Sequence, residues 1–311
     1  MPLFVYKFGG TSVVDETSRG AAIHQIKQTL QAGHQLIVVV SAMGRKGAPY
    51  ATDTLLSLLQ PDAPARLKDM LVSTGEIISA CVLTDQLLQE GIPAQVMTGW
   101  QAGIETSQEF GNAEVTSIDP SRIKAVLEQG IVPVVTGFQG VSDGQVTTLG
   151  RGGSDTSAVE IGGYLQADEV HIFTDVPGIA TVDPRLSTRA RFMDDILLED
   201  MYFLAANGSG IIHPRAVATA LKHQMVLRVR STFSDGEGTL IGTVQKNSGF
   251  AGVTTQREET GWLVSFVDHG LDNDPDSTFT ACAPGHYQIR IPLEERDAMI
   301  DCILDLEERP S

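Results

Sequence analysis

The sequence predicts an α/β domain with a largely parallel sheet, followed by a small α+β module. Up to about Leu240, short apolar runs that suit strands alternate with stretches whose apolar residues recur at helical spacing. Two runs, residues 35–40 and 132–135, are continuous and rich in β-branched residues, as in parallel strands buried on both faces. After Leu240 the composition changes, which marks the second unit.

Each element of the first unit has a local signal. Strands are predicted at residues 3–8, 35–40, 93–98, 132–135, 169–174 and 226–229, and helices at residues 15–30, 64–90, 119–130, 196–206 and 214–223. Asp119 followed by a proline suits a helix start, and Asp143-Gly144 suits a hairpin turn. We expect the helix at 64–90 to be interrupted at residues 73–76, because a glycine costs about 1 kcal/mol in a helix interior.

The second unit begins after a turn-rich segment. Residues 243–249 are polar and linker-like. The pattern beyond them predicts strands at 253–257, 262–267 and 286–291, a loop at 272–277 and a closing helix at 294–307. We therefore assign residues 1–242 to the first domain and residues 243–311 to a small α+β module.

The composition limits the class of partner. The chain has 311 residues and a formal charge of −17, from 22 basic and 39 acidic side chains. This balance argues against nucleic acid or an anionic membrane, whereas a few local basic residues would still suffice for a small anion. Three widely spaced cysteines show no disulfide or metal-ligand pattern, and no signal peptide or bilayer-spanning apolar run is evident. We expect a cytoplasmic protein with reduced thiols.

Residues 147–157, Thr-Thr-Leu-Gly-Arg-Gly-Gly-Ser-Asp-Thr-Ser, form the most informative stretch. A glycine-rich turn that opens a helix offers backbone N–H groups and the positive end of the helix dipole to an anion. Arg151 adds a fork of donors that fits a carboxylate or a phosphate. The plain alternative is a strand–helix turn without a ligand.

Polar residues also follow other predicted strands. The first strand runs into residues 7–12, Lys-Phe-Gly-Gly-Thr-Ser, which suit a phosphate cradle, although a solvated strand-end lysine is equally compatible. Ser41 follows the second strand, at the sheet edge where ligands of open parallel sheets bind. Glu76 beside Gly75 indicates either the close approach of a ligand or an ordinary kink with a solvated glutamate.

Together these residues suit phosphoryl transfer from a nucleotide, in which positioning and charge neutralisation supply most of the catalysis. Arg151 suits a carboxylate and Glu76 an ammonium group, so the pair describes an amino acid as the acceptor. A carboxylate acceptor is ionised at neutral pH and needs no general base. Asp155 would then orient Lys7, the metal shell or the substrate.

Several motifs occur in one order along residues 3–242. They are KFGGTSV at 7–13, VSAMG at 40–44, STGE at 73–76, QAGI at 101–104, GRGGSD at 150–155, FTDV at 173–176, DPR at 183–185 and RSTFS at 230–234. In combination they resemble the aspartate kinase family. The resemblance implies the amino acid kinase fold, a three-layer αβα sandwich. It also implies phosphorylation of the side-chain carboxylate of L-aspartate by Mg-ATP, the first step of lysine, threonine and methionine biosynthesis.

The resemblance further implies roles for matching residues. Lys7 would stabilise the transferring group and Asp155 would organise that lysine. The implied nucleotide-binding residues are Lys7, Gly9, Gly10, Thr174, Asp175, Asp183 and Arg185. The implied aspartate-binding residues are Ser41, Thr52, Glu76, Arg151 and Ser154. Magnesium would be held mainly by phosphate oxygens, so no protein ligand for a metal is named.

The chain departs from the family pattern in two places. The family usually has a lysine just before the Ile/Val-x-His-Pro segment, and this chain has Gly210 there. The lost charge would weaken ATP binding or slow transfer, since a charge-assisted hydrogen bond contributes about 1.5–3 kcal/mol. Arg215 is a candidate substitute. The family also typically ends in two ACT domains, whereas residues 243–311 suffice for at most one reduced ACT-like unit, which puts feedback control of the usual kind in doubt.

Three functional hypotheses stay open. The chain is an active aspartate kinase, a catalytically weakened paralogue that binds or regulates a partner, or a kinase for another small amino acid. Gly210 and the short tail favour the second hypothesis, while the retention of Lys7, Arg151 and Asp155 argues against it. Family enzymes commonly self-associate, so we expect a homodimer.

Overall fold

A computed structural model describes residues 1–243, 249–271 and 279–307. Its strands are β1 (Leu3–Phe8), β2 (Gln35–Val40), β3 (Ala94–Met97), β4 (Ile104–Thr106), β5 (Val115–Ile118), β6 (Val132–Thr136), β7 (Gln139–Ser142), β8 (Gln145–Thr148), β9 (Glu169–Thr174), β10 (Asp195–Leu197), β11 (Leu227–Ser231), β12 (Thr239–Gly242), β13 (Phe250–Arg257), β14 (Trp262–Asp268), β15 (Thr280–Ala283) and β16 (His286–Ile291). Its helices are α1 (Glu16–Gln31), α2 (Thr52–Leu56), α3 (Ala65–Gln89), α4 (Pro120–Leu127), α5 (Gly153–Leu165), α6 (Leu198–Ala206), α7 (Pro214–His223) and α8 (Arg296–Glu307).

The central sheet has eight strands in the order β10-β12-β11-β9-β1-β2-β6-β3. All neighbouring pairs are parallel except β11 with β12. Successive side chains of β2 enter opposite cores: Ile37 and Val39 pack with α4, α5 and α7, while Leu36 and Val38 pack with α1 and α3. The sheet is therefore the middle layer of three, which confirms the predicted αβα sandwich.

Two of the predicted helices begin at side-chain caps. Asp15 accepts a hydrogen bond from the backbone N–H of Ser18 at the start of α1, and Asp119 accepts one from Ser121 at the start of α4. Helix α7 has the predicted bounds. The segment expected to be helical from residue 196 begins with the short strand β10 before α6.

The predicted interruption of the long helix is wrong, because α3 continues through Gly75 and Glu76 without a break. The glycine serves packing instead. A Cβ atom at Gly75 would lie 2.8 Å from the carbonyl oxygen of Tyr50 and 2.9 Å from the Cβ of Ala42. Glycine is a weak helix former, but its lack of a Cβ atom allows residues 42–50 to approach α3 closely.

A second sheet, in the order β5-β4-β7-β8, flanks the first. Asp143 and Gly144 form the predicted hairpin turn between β7 and β8, with φ angles of 48° and 70°. Strands β4 and β5 were not predicted, since they have only three and four residues and no long apolar run. This sheet places β8 directly before the glycine-rich loop at residue 150.

The C-terminal unit is an antiparallel sheet in the order β13-β14-β16-β15, with α8 packed on it. This is consistent with the expected ACT-like α+β arrangement. Strand β15 was not predicted, because its four residues are exposed and small or polar. The expected loop at 272–277 and residues 244–248 of the expected linker lie outside the described residues. The division at residue 242 therefore stays a prediction.

The C-terminal sheet contacts the first domain through two sets of polar contacts. The backbone N–H of Val253 donates to the carbonyl of Thr181 at 2.7 Å. The buried Asp200 carboxylate of α6 lies 2.8 Å from Nε2 of His286 and 3.0 Å from Nε2 of His269. Ala251 and Val267 of this sheet also belong to the apolar core of the first domain, so the two units share polar and apolar contacts.

In the described part of the chain, α3 alone has the length and apolar composition of a possible membrane span. Half of that window is buried, and α3 packs against β3, β6 and β8. Core helices of folded domains meet the same criteria, so this is weak evidence for a membrane segment.

Candidate active site

Two joined cavities lie at the carboxyl edge of the central sheet. The first, of about 970 Å³, is lined by eight of the predicted site residues: Lys7, Gly10, Ser41, Thr52, Glu76, Arg151, Ser154 and Asp155. The second, of about 550 Å³, is lined by four further predicted nucleotide residues: Thr174, Asp175, Asp183 and Arg185. Arg45 and residues 208–211 line both cavities. We call them the acceptor cavity and the nucleotide cavity.

Gly9 is the one predicted residue outside both linings. It lies beside the catalytic candidate instead, since a Cβ atom there would be 3.4 Å from Nζ of Lys7. A Cβ atom at Gly10 would lie 2.4 Å and 2.7 Å from the carbonyl oxygens of Gly44 and Ala42. The close packing of the segments that follow β1 and β2 therefore accounts for glycine at position 10, and this explanation requires no bound ligand.

Lys7 and Asp155 form an ion pair on the wall of the acceptor cavity. Nζ of Lys7 lies 2.6 Å from Oδ1 of Asp155, and the side chains are only 11% and 13% exposed. Lys7 comes from the end of β1, and Asp155 from the first turn of α5. The strand end and the helix start thus hold a charge-assisted contact at a fixed position.

The glycine-rich loop presents Arg151 to the cavity. Gly150 and Gly152 have φ angles of 73° and 71°, which favour glycine. A Cβ atom at Gly152 would also lie 2.2 Å from Cγ of His213. The Arg151 side chain is 87% exposed and its nearest carboxylate, Asp53, is 3.8 Å away. The guanidinium is therefore available to a ligand carboxylate.

Glu76 is buried, so the interpretation as a solvated glutamate is wrong. Its Oε1 accepts a 3.0 Å hydrogen bond from the backbone N–H of Ala42, and within the described residues Oε2 has no partner. Burial raises the pKa of Glu76 to about 8, against the opposing effect of the Ala42 bond. A buried carboxyl with a free oxygen suits an ammonium group, which would favour its ionised form.

The charged residues of the nucleotide cavity are paired with each other. Nη2 of Arg185 donates to Oδ2 of Asp183 at 2.6 Å, and Nη2 of Arg45 donates to Oδ2 of Asp175 at 3.0 Å. The Asp183 pairing with Arg185 lowers the pKa of that carboxyl. These arginines are largely exposed and can turn toward an anion.

Arg215 does not substitute for the missing lysine. Its Nη1 donates to the carbonyl of Leu149 and, at 2.9 Å, to Oδ1 of Asn112, and its Nη2 donates to the carbonyl of Ala113 at 3.0 Å. The guanidinium is committed to these acceptors, away from the nucleotide cavity. Gly210 itself lines both cavities, and a Cβ atom there would have no described atom within 4 Å.

Sequence reasoning missed several lining residues. Arg45 and Lys46 add positive charge, and His213 supports the glycine-rich loop. The only local signal was the position of Arg45 and Lys46 just beyond the end of β2. With Lys7 and Arg151, the lining of the acceptor cavity has four basic residues and three acidic ones. The whole chain, by contrast, has a formal net charge of −17. This local balance suits anionic ligands.

No group of three or more His, Cys, Asp or Glu side chains with metal-binding geometry occurs in the described ranges. Magnesium commonly uses one or two carboxylates together with substrate phosphates and water. The carboxylates of Asp175 and Asp183 in the nucleotide cavity are compatible with that mode of binding.

Two neighbouring cavities that share lining residues, with a lysine–aspartate pair between strand and helix ends, suit a small-molecule phosphotransferase. The model of the amino acid kinase family matches residues 2–231. Aspartokinase 1 of Bacillus subtilis is 45% identical over 245 residues, which are 78% of this chain and 61% of that protein. An aspartokinase of Thermus thermophilus is 44% identical over 311 residues, which cover 98% of this chain and 72% of that protein.

A solved structure of E. coli aspartokinase III has the same fold, with a TM-score of 0.77 at 20% identity, covering 96% of this chain and 98% of that one. The aligned region thus spans about three fifths to three quarters of the two sequence relatives. The chain belongs to the amino acid kinase family and, within it, to the aspartokinases.

Proposed function

We propose that this protein transfers the γ-phosphoryl group of ATP to the side-chain carboxylate of L-aspartate. The observation that carries the proposal is the ion pair of Lys7 and Asp155, on the wall of a cavity that also presents Arg151 and Glu76. The E. coli relative of the same fold was solved in complex with aspartate and ADP, which supports the same pair of ligands here.

The acceptor cavity fits an amino acid in one orientation. Arg151 would bind the α-carboxylate through its free fork of donors, and Glu76 would bind the ammonium group through its unpartnered oxygen. The remaining carboxylate of the ligand is then directed to the region of Lys7. Ser41, Thr52 and Ser154, which line the same cavity, would contribute hydroxyl contacts.

In the transfer, a side-chain oxygen of aspartate forms a bond to the γ-phosphorus while the bond to the β–γ bridging oxygen breaks. ADP leaves with that electron pair, and no proton has to move because the acceptor is already a carboxylate. Lys7 would stabilise negative charge on the transferring group, and Asp155 would keep the lysine in place. Magnesium bound mainly to phosphate oxygens would neutralise further charge.

The nucleotide would occupy the second cavity, near Thr174, Asp175, Asp183 and Arg185, with Gly9 and Gly10 close to its phosphates. Residues 243–311 would form an ACT-like module. We further propose that the protein is cytoplasmic and homodimeric. A single species of monomer mass in light scattering at micromolar concentration would contradict the dimer.

A second candidate function is a weakened paralogue that regulates a partner. It is favoured by Gly210, because Arg215, the candidate substitute for the usual lysine, is committed to other acceptors. A kinase for another small amino acid is the third candidate, since Arg151 and Glu76 would recognise only the α-amino acid groups.

The test is ADP release with Mg-ATP and L-aspartate, beside L-glutamate and a control without acceptor. We expect aspartate-dependent turnover, and a decrease in kcat of about 100- to 1000-fold in Asp155→Asn, because the lysine loses its charged partner. Turnover with glutamate alone would assign the third function. No turnover with either acceptor, restored by Gly210→Lys, would assign the second. The assay is repeated with lysine and threonine to detect effectors.

A further inference from the structure

Two charged side chains outside the catalytic set hold the walls of the acceptor cavity. Asp69 lies on α3, and Arg215 lies on α7, on another side of the glycine-rich loop. We propose that Asp69 and Arg215 are positioning residues that fix the loop carrying Arg151 and thereby set the affinity for the amino acid substrate. This inference rests on the proposed function of the cavity.

The contacts of Asp69 all go to two short segments. Its Oδ2 accepts from the backbone N–H of Gly111 at 2.9 Å and of Thr148 at 2.8 Å. Its Oδ1 accepts from Oγ1 of Thr148 at 2.8 Å. The side chain is buried, and although burial raises its pKa, these three donors oppose the shift. Asp69 therefore joins residue 111 to the end of β8.

Arg215 holds the same two segments from the other side. Its guanidinium donates to the carbonyls of Leu149 and Ala113 and to Oδ1 of Asn112. The six bonds of the two side chains therefore all reach residues 111–113 and 148–149. A planar fork can reach several acceptors at once, which a lysine cannot reproduce.

The two segments are part of the substrate site. Gly111 lines the acceptor cavity, and a Cβ atom at Gly150 would lie only 2.9 Å from its carbonyl oxygen. Thr148 and Leu149 directly precede the loop in which Arg151 has only a weak contact of its own, at 3.8 Å from Asp53. The position of the Arg151 backbone is thus set by anchors just before it in the chain.

Helix α3 connects this anchor to the other recognition group. Asp69 and Glu76 are seven residues apart on α3, which places them on the same face after two turns. Glu76 binds one end of the proposed amino acid, and Asp69 fixes the loop that binds the other end. A single rigid helix thereby sets the distance between the two groups.

The test compares Asp69→Asn and Arg215→Lys with wild type and with Arg122→Gln as a matched control. Arg122 also donates to a backbone carbonyl, that of Trp100 at 2.8 Å, but lies outside both cavity linings. We expect both anchor variants to raise KM for aspartate about 10- to 100-fold and to change KM for ATP less than about twofold, because only the amino acid site loosens. The control should match wild type.

A second readout separates this inference from the proposed function. Hydrogen–deuterium exchange of residues 148–153 in the ligand-free protein should be faster in both anchor variants and unchanged in the control. If wild type has no aspartate-dependent turnover, the proposed function is wrong. The hydrogen–deuterium exchange measurement alone then tests the positioning role of Asp69 and Arg215. Wild-type exchange in Arg215→Lys, or equal loss for aspartate and ATP, would overturn the positioning role. Arg215→Lys remains decisive if Asp69→Asn does not fold.

Discussion

At the scale of single residues, Glu76 carries the most chemical information. It is the buried carboxyl whose free oxygen faces the proposed ammonium subsite, and its pKa is raised to about 8 by burial. Because this pKa lies above neutral pH, we expect the free protein to hold Glu76 largely protonated, and binding of the proposed ammonium group would release a proton. The affinity for substrate is therefore linked to pH through this one side chain.

We expect KM for aspartate to decrease as pH rises from 6 to about 8 and to level off above the pKa of Glu76. Between these limits the change approaches about tenfold per pH unit, since one proton is released per ligand bound. Steady-state kinetics in constant ionic strength check this. A KM for aspartate that is flat across this range would contradict the role of Glu76 as the ammonium ligand.

The raised pKa of Glu76 also predicts how the stability of Glu76→Gln relative to wild type depends on pH. The folded-state pKa of Glu76 lies above its unfolded value of 4.5, so its contribution favours folding at low pH and is lost as pH rises toward about 8. The thermal midpoint of Glu76→Gln minus that of wild type should therefore increase between pH 5 and pH 9 in ligand-free protein. A constant difference would show that Glu76 is not held with a raised pKa.

Gly210 gives a prediction of gained function. A Cβ atom there meets no described atom within 4 Å, so Gly210→Lys can place an ammonium group beside both cavities. One charge-assisted contact of about 1.5–3 kcal/mol would lower KM for ATP roughly 10- to 100-fold. Gly210→Met, of similar length and without charge, is the control. Equal effects of both variants would refute an electrostatic role.

At the scale of elements, α3 links the fold to the site. It packs on β3 and β6, carries both Asp69 and Glu76, and allows residues 42–50 to approach at Gly75. A helix former at position 75 would improve helix propensity and yet lose this contact. At position 75, helix propensity therefore favours a residue other than glycine, whereas packing favours glycine.

We expect Gly75→Ala to decrease the free energy of unfolding by about 1–3 kcal/mol, because its Cβ would overlap Tyr50 and Ala42. Gly20→Ala on α1 is the matched control: a Cβ atom there meets nothing within 4 Å, so it should stabilise by up to about 1 kcal/mol. Urea denaturation measures both. Stabilisation by both variants would mean that the close approach at Gly75 is not required.

The element scale also shows how far the sequence could be interpreted. The cap at Asp119 and the hairpin at Asp143-Gly144 were predicted, because each depends on a neighbour within a few residues. The interruption of α3 was wrongly predicted, because the partner of Gly75 lies in a distant part of the chain. Propensity alone does not report such long-range packing.

At the scale of the whole molecule, the C-terminal sheet is part of the nucleotide cavity. Val253, Thr254 and Thr255 of β13 line it together with the residues predicted to bind ATP. The glycine loop at 208–210 lies against the same strand, since a Cβ atom at Gly208 would be 2.9 Å from the carbonyl oxygen of Thr255. The attachment of this sheet therefore affects the shape of the cavity.

Asp200 is the polar centre of that attachment. We expect Asp200→Ala to lower the free energy of unfolding by about 1.5–3 kcal/mol, because His269 and His286 both lose a buried charged partner. Glu199→Gln, an exposed neighbour on the same helix, should change it by less than about 0.5 kcal/mol. Chemical denaturation distinguishes the two. Equal small effects would show that the contact contributes little.

By itself, the sequence determined the α/β class, the first-domain elements with local signals and the motif residues at the strand ends, from Lys7 to Arg185. These depend on periodicity, caps and short motifs, which act over a few residues. Only the tertiary structure decided that Glu76 is buried, that the Arg215 guanidinium donates to residues beside the glycine-rich loop and that β13 lines the nucleotide cavity. Each of these depends on groups far apart in sequence, because burial and hydrogen-bond partners are set by how the layers pack.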